Sequence, residues 1–296
     1  MLRLALIWPW LVADRNHVDL HAAPGKQNAD SHSGTSSEPT FFGDPQKMSH
    51  TIHILTSFVG NITAFARAHN PPLLNLVGVE LLNEPQPGPH NEAFKQWYLQ
   101  AFRAIRSIDP ELPLYISDSW MTEYYTEFIK TSGTPFLALD HHLYRCFTGE
   151  DISTPVFEHA RRLFDPNEGT PQLFARVAQD LEGAGGALVV GEWSAALNPG
   201  SLHGIDDERA EKNAFVRAQL QLYDTHCAGW FFWAYKKEHG GDTGWSFRDA
   251  VESGVFPDDF APYRVGLPAE DEMGIAREHA RGSAFGTCFA GLTKSD

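Results

Sequence analysis

Residues 76–105 read LVGVELLNEPQPGPHNEAFKQWYLQAFRAI, and the change of pattern inside this stretch decides the fold class. Leu76–Leu82 is a short apolar run of strand length, and it closes on Asn83-Glu84-Pro85. Pro85 has no N–H to donate, so a sheet ladder stops there. Beyond it the period switches. Phe94, Trp97, Tyr98, Ala101, Phe102 and Ile105 recur at i, i+3, i+4, i+7, i+8 and i+11, which is one buried face of a helix. A strand, a polar turn and an amphipathic helix make one βα unit.

The same alternation extends outward in both directions. Short apolar runs at His17–Leu20, Leu114–Ser117, Phe136–Asp140, Ala187–Gly191 and Ala228–Ala234 are expected strands. Between them lie helical patterns, such as Asp207–His226 with apolar Phe215, Val216, Leu220 and Tyr223. Strands spaced by helices predict an α/β fold built on a parallel sheet with right-handed crossovers. Gly25–Pro45 and Lys236–Pro257 read as long loops, and Glu270–His279 as a helix. With no internal repeat and no linker, residues 1–296 are expected to form a single domain, with 258–296 as its C-terminal helix and loose tail.

The chain has 296 residues, 42% hydrophobic and 21% charged. Those proportions exclude a disordered tail, a collagen-like fibre and a disulfide-stapled module. An α/β barrel needs about 250 residues, so length alone would admit a whole one. Lys plus Arg is 23 and Asp plus Glu is 38, for a net charge of -15. An acidic surface without a basic run repels phosphate backbones, so nucleic acid is not expected as a partner. Cys146, Cys227 and Cys288 are odd in number and far apart, which fits neither a disulfide framework nor zinc. His141-His142 and the His50/His53 pair lack the carboxylate company of a metal motif, so no metal is expected. There is no G-x-S-x-G elbow, no P-loop and no dinucleotide fingerprint. No run of 18 apolar residues predicts a membrane span. The first thirteen residues have a signal-peptide outline, but Pro9 and two Trp interrupt the apolar run.

The chemistry-bearing residues collect at the C-terminal ends of the expected strands. Asn83-Glu84-Pro85 closes one, Asp140-His141-His142-Leu143-Tyr144 another, Gly191-Glu192-Trp193-Ser194 a third and Phe231-Phe232-Trp233 the last. In parallel α/β folds those ends line the ligand face. Two Glu at separate strand ends, each with polar or aromatic company, are what glycoside hydrolysis requires. One carboxylic acid protonates the leaving oxygen. A carboxylate about 5–5.5 Å away attacks an oxocarbenium-like carbon in the retaining case. Neighbouring donors and apolar walls must push the two pKa values apart, and Asn83, His142, Tyr144 and Trp233 are residue types able to do so.

Taken in order, Asn83-Glu84-Pro85, His142-Leu143-Tyr144 and Gly191-Glu192-Trp193-Ser194 resemble glycoside hydrolase family 5. Val18-Asp19-Leu20-His21-Ala22-Ala23-Pro24-Gly25-Lys26-Gln27-Asn28 and Cys227-Ala228-Gly229-Trp230-Phe231-Phe232-Trp233 resemble its fungal exo-β-1,3-glucanase branch. The match covers about His17 to Pro257. The resemblance implies a TIM (β/α)8-barrel glycosidase fold and a retaining exo-β-1,3-glucosidase that releases glucose from β-glucan oligo- or polysaccharide without a cofactor. It also implies an extracellular or cell-wall setting, while the interrupted leader-like run leaves a cytoplasmic one open, and a monomer is expected. By resemblance Glu84 is the general acid/base and Glu192 the nucleophile. Asn83 would bind the 2-hydroxyl of the sugar being cleaved, and His142 would sit near the acid. The Tyr144 hydroxyl would support the nucleophile, Trp233 would form the stacking floor, His21 a polar wall and Phe147 an entrance aromatic.

Two departures from the family pattern stand out. Where the fungal enzymes carry a loop aromatic after the Gln27-Asn28 pair, this chain has Ala29-Asp30-Ser31. His17–His21 matches the family's third strand with about sixteen residues before it, so the barrel is expected to be incomplete, with strands 1 and 2 missing. The second-strand arginine of the family has no counterpart, since Arg3 and Arg15 lie outside any such motif. Two other readings stay open at this point. One is a catalytically inactive, truncated carbohydrate-binding remnant. The other is a same-family hydrolase of β-1,4-glucan, β-1,6-glucan or a glycolipid.

Overall fold

In a computed structural model of the protein, the structure describes residues 2–7, 15–69 and 76–257. They divide into two compact units with the boundary after Asp140.

The first unit is built on strands β1 (Leu2–Ile7), β2 (Arg15–Leu20), β3 (Leu76–Glu80), β4 (Leu114–Ser117) and the start of β5 (Leu137–Leu143), hydrogen-bonded in chain order. β2 to β5 run parallel, with Val18 beside Val79, Glu80 beside Tyr115 and Ser117 beside Asp140. β1 was not anticipated. It pairs antiparallel with β2, from Leu2 opposite Leu20 to Ile7 opposite Arg15, and gives the outer edge of β2 its hydrogen-bond partners. The residues that follow it, 8–14, lie outside the described residues.

Three helices pack on this unit: α1 (Pro45–Ala68), α2 (Asn91–Arg106) and α3 (Thr122–Ser132). The Asp44 carboxylate caps α1 by accepting from the N–H groups of Gln46 and Lys47, and Pro45 sits in the first turn, where no N–H is needed. α2 buries Phe94, Trp97, Tyr98, Ala101, Phe102 and Ile105, the face that its sequence period predicts. Each large side chain there contributes roughly 1.5–3 kcal/mol by leaving water. The Trp97 indole N–H donates to the Met48 carbonyl at 2.8 Å and ties α2 to α1. Between β3 and β4 the backbone passes close to an aromatic ring. A Cβ on Gly78 would fall 2.2 Å from the Tyr115 ring, so only glycine fits.

The second unit begins inside β5. Its helices are α4 (Gly149–Ser153), α5 (Val156–Phe164), α6 (Gly169–Gly183), α7 (Glu208–His226) and α8 (Phe247–Glu252), and its strands β6 (Ala187–Trp193) and β7 (Gly229–Phe232). β6 and β7 are parallel. The fully buried Trp193 anchors this core, with the rings of Phe232, Tyr223, Trp230 and Phe256 at 5.0–5.9 Å. No helix among the described residues is long and apolar enough to cross a membrane.

This strand–helix alternation is that of a (β/α)8 barrel, incomplete among the described residues, with β2–β5 parallel in the first unit and β6–β7 parallel in the second. Some element ends differ from the sequence expectation for local reasons. β5 starts one residue late, at Leu137, because Phe136 has φ 57 and cannot extend a strand. The Lys236–Pro257 stretch, expected as loop, contains α8, whose Ser246 hydroxyl accepts from the Asp249 N–H. The expected helix Glu270–His279 and the rest of the expected tail lie outside the described residues.

Candidate active site

In the first unit the residues after β2 and β3 are joined by one buried side chain. Gln27, wholly buried, donates through Nε2 to the carbonyls of His21 and Asn83, both at 2.9 Å. Its Oε1 accepts from the Ala23 N–H at 3.0 Å. One amide thus closes three backbone hydrogen bonds and sets His21 beside the turn that carries Glu84. Asn28 adds a second brace, Nδ2 to the Glu84 carbonyl at 2.8 Å. Glu84 itself has φ 41, a left-handed conformation that costs a non-glycine residue about 1–3 kcal/mol and persists where surrounding bonds hold it.

The polar side chains here are nearly all buried. His21 Nδ1 lies 2.6 Å from Asp19 Oδ2, which fixes the ring. The Asn83 side chain is buried, and its Nδ2 donor has no hydrogen-bond partner among the described residues. His32, which the sequence reading did not single out, places Nε2 3.0 Å from Glu84 Oε2. Ala29, Asp30 and Ser31 are exposed, so the expected lack of an aromatic in this loop is a feature of its surface.

In the second unit Glu192 sits where β6 goes out of register with β7, between Val190 and Trp193. Such irregularities re-aim side chains at strand ends. The Tyr144 hydroxyl donates to Glu192 Oε2 at 2.7 Å, and His142 Nδ1 lies 3.6 Å from the same oxygen. A phenol donating to a carboxylate is a charge-assisted bond, short and directional. Trp233 follows β7 directly and is half-buried, its backbone N–H donating to the Trp193 carbonyl at 2.8 Å. Phe147 is 68% exposed and packs by one edge on Tyr144, with ring centres 5.3 Å apart. Trp245 completes that cluster at 5.5 Å from Tyr144 and 5.9 Å from Phe147. It too was missed, because sequence spacing does not foretell how a loop folds back. Asp242 Oδ1 performs that folding by accepting from the Gly244 and Trp245 N–H groups.

Burial also shifts groups around this unit's core. The Cys146 thiol, half-buried next to Phe147, is pushed up to about 11 by desolvation, which leaves it a poor nucleophile. His159, on the buried face of α5, is pushed below the usual histidine value, mainly by burial.

The family model described as Cellulase (glycosyl hydrolase family 5) matches residues 18–239. The chain belongs to glycosyl hydrolase family 5. Among curated proteins it is similar to glucan 1,3-beta-glucosidase 3 of Schizosaccharomyces pombe, 31% identical over 274 residues, covering 91% of this chain and 53% of that protein. It is also similar to the probable glucan 1,3-beta-glucosidase A of Aspergillus fumigatus, 28% identical over 275 residues, covering 81% of this chain and 60% of that protein. This family 5 chain therefore spans little more than half the length of these relatives. Two solved structures share its fold. AoRut matches with TM-score 0.55 at 18% identity, over 81% of this chain and 65% of that one. The rutinosidase from Aspergillus niger matches with TM-score 0.51 at 16% identity, over 81% and 66%.

Proposed function

We propose that this family 5 chain is a retaining β-glucan hydrolase, an exo-β-1,3-glucosidase releasing glucose, with Glu84 as general acid/base and Glu192 as nucleophile. The observation that carries the reading is the Tyr144–Glu192 hydrogen bond at 2.7 Å. The phenol holds Oε2 and so orients the Glu192 carboxylate for attack on the anomeric carbon. The names of the two curated relatives support the 1,3-linkage.

In the first step Glu84 gives its proton to the glycosidic oxygen as the bond to C1 breaks, and Glu192 forms a bond to C1. In the second step Glu84, now ionised, takes a proton from water, which attacks C1 and releases Glu192. Asn83 Nδ2, buried and unpartnered among the described residues, donates to the sugar 2-hydroxyl. Leaving such a donor unmet costs about 1–3 kcal/mol, which bound substrate recovers. Trp233 offers the sugar its ring face, His21 a polar wall, His142 a second polar neighbour of Glu192, and Phe147 an exposed aromatic for the outgoing sugar. The substrate is a β-glucan chain, and the protein acts as a monomer.

The test is Glu192→Gln assayed on laminarin and on an aryl β-glucoside. Turnover is expected to vanish while the circular dichroism spectrum is unchanged, and undiminished turnover would overturn the assignment. A second reading, the same chemistry on another linkage, is favoured by the exposed, non-aromatic Ala29-Asp30-Ser31 turn. Product analysis on β-1,3-, β-1,4- and β-1,6-glucans separates the two.

A further inference from the structure

Glu84 is gripped by a loop whose sequence gave no sign of it. Asn28 anchors that loop through its Nδ2 bond to the Glu84 carbonyl, while its Oδ1 accepts from the Asp30 N–H at 2.9 Å. The buried Ser33 hydroxyl closes the far side by donating to the carbonyls of Asn28 and Asp30. Between these two anchors, on the short turn Ser31–Ser33, stands His32. Its Nε2 lies 3.0 Å from Glu84 Oε2 and 3.3 Å from Asn28 Nδ2. The Glu84 side chain is 11% exposed and that of His32 30%, so the pair is largely shielded from water on the carboxylate side. Titratable groups close to His32 within this unit include Glu84 itself and His21, whose ring centre is 5.4 Å away and which Asp19 holds from behind.

We propose that His32 is a positioning residue for Glu84, holding Oε2 through Nε2 so that the carboxyl offers Oε1 to the departing glycosidic oxygen. The proposal rests on the reading of Glu84 as acid/base. The proton on Oε1 moves to the leaving oxygen, which takes the C1–O electron pair. The negative charge left on the carboxylate is met by the Nε2–H of His32. In the second step a proton of the attacking water returns to Oε1. A donor fixed on the far oxygen stabilises the carboxylate as it forms, and so its value scales with how far the leaving group needs protonation. The braces at Asn28 and Ser33 run to backbone atoms, so truncating the His32 ring leaves those bonds in place.

The experiment compares wild type, His32→Ala, His32→Gln and Glu84→Ala on two substrates. An alkyl β-glucoside has a poor leaving group that needs the proton; 2,4-dinitrophenyl β-glucoside leaves without one. For His32→Ala, kcat/KM on the alkyl substrate is expected to fall about tenfold, the worth of one charge-assisted hydrogen bond, and on the dinitrophenyl substrate less than about twofold. His32→Gln, which restores an N–H near Nε2, should recover most of the loss. A carbon-13 titration of the Glu84 carboxyl, assigned against Glu84→Gln, should move to higher pH in His32→Ala, since a donor to the charged form has gone. Equal losses on both substrates, or an unmoved titration, would overturn the role of His32. If Glu84→Ala fails to show the same leaving-group split, the acid/base reading itself falls and His32 with it. If Glu84→Ala shows the split and His32→Ala does not, only the His32 proposal falls.

Discussion

Replacing Tyr144 with Phe removes a single O–H and keeps the ring that packs on Phe147 and Trp245. The lost bond, 2.7 Å to Glu192 Oε2, is charge-assisted while Glu192 is a carboxylate and weak once Glu192 is an ester of the sugar. Such bonds are worth about 1.5–3 kcal/mol, or about ten- to a hundredfold in rate. The two chemical steps feel the loss unequally. With Glu192 as the proposed nucleophile, it would give up its charge in the first step, so losing the bond raises the ground state as well as disturbing its aim, and the effects partly offset. In the second step the carboxylate is reborn without its donor, and the barrier rises by the larger share. The expectation for Tyr144→Phe is a kcat reduced about ten- to a hundredfold, a lowered KM and an accumulating glycosyl-enzyme. Stopped-flow release of an aryl leaving group would show a burst of about one equivalent followed by slow turnover. An unchanged kcat, or a raised KM with no burst, would refute the argument that this hydroxyl serves the nucleophile.

Three further outcomes follow from the packing. Gly78→Ala would drive a methyl to 2.2 Å from the Tyr115 ring and 2.9 Å from the Pro113 carbonyl, at a backbone φ of 158. Overpacking of that kind costs about 1–3 kcal/mol, so thermal unfolding should shift down by several degrees, and an unshifted midpoint would mean that β3 and β4 lie further apart. Gln27→Ala leaves two carbonyls and one N–H without their partner, and is expected to lower activity at least tenfold by loosening the Asn83-Glu84 turn, measured against an unchanged far-ultraviolet spectrum. His159 is held below its ordinary value in the folded chain, so the unfolded chain binds the extra proton first as pH falls. Its contribution to stability is therefore whole above about pH 6.5 and is lost as pH drops from there towards the folded value. Melting curves at pH 7.5 and 5.5 should show a smaller acid loss in His159→Gln than in wild type.

The βα order was legible because two different periods follow one another without mixing. The buried face of α2 and the strand ending at Ser117 coincide with the pattern in the sequence. The strand-end placement of the candidate residues Tyr144, Glu192 and Trp233 was legible for the same reason, since polar and aromatic residues that close an apolar run fall at the end of its strand. What escaped depends on loops. His32 meets Glu84 only because Asn28 and Ser33 fold residues 28–33 back on themselves, and Trp245 meets Tyr144 only because Asp242 turns its loop. β1 escaped because its partner is known only once β2 is placed, and an apolar run at a chain start has several possible uses. The helix α8 did carry a signal: Ser246 three residues before Asp249 is a capping pair, hidden among glycines that suggested loop throughout.

The claim on which the functional reading turns is that Glu192 becomes covalently bonded to the sugar. Incubation with 2,4-dinitrophenyl 2-deoxy-2-fluoro-β-glucoside, which forms the intermediate but hydrolyses it slowly, followed by intact mass and peptide mapping, tests it directly. One fluoroglucosyl group per chain is expected, located on Glu192, and none in Glu192→Gln. A chain that releases glucose yet carries no label, or carries it on another residue, would contradict it.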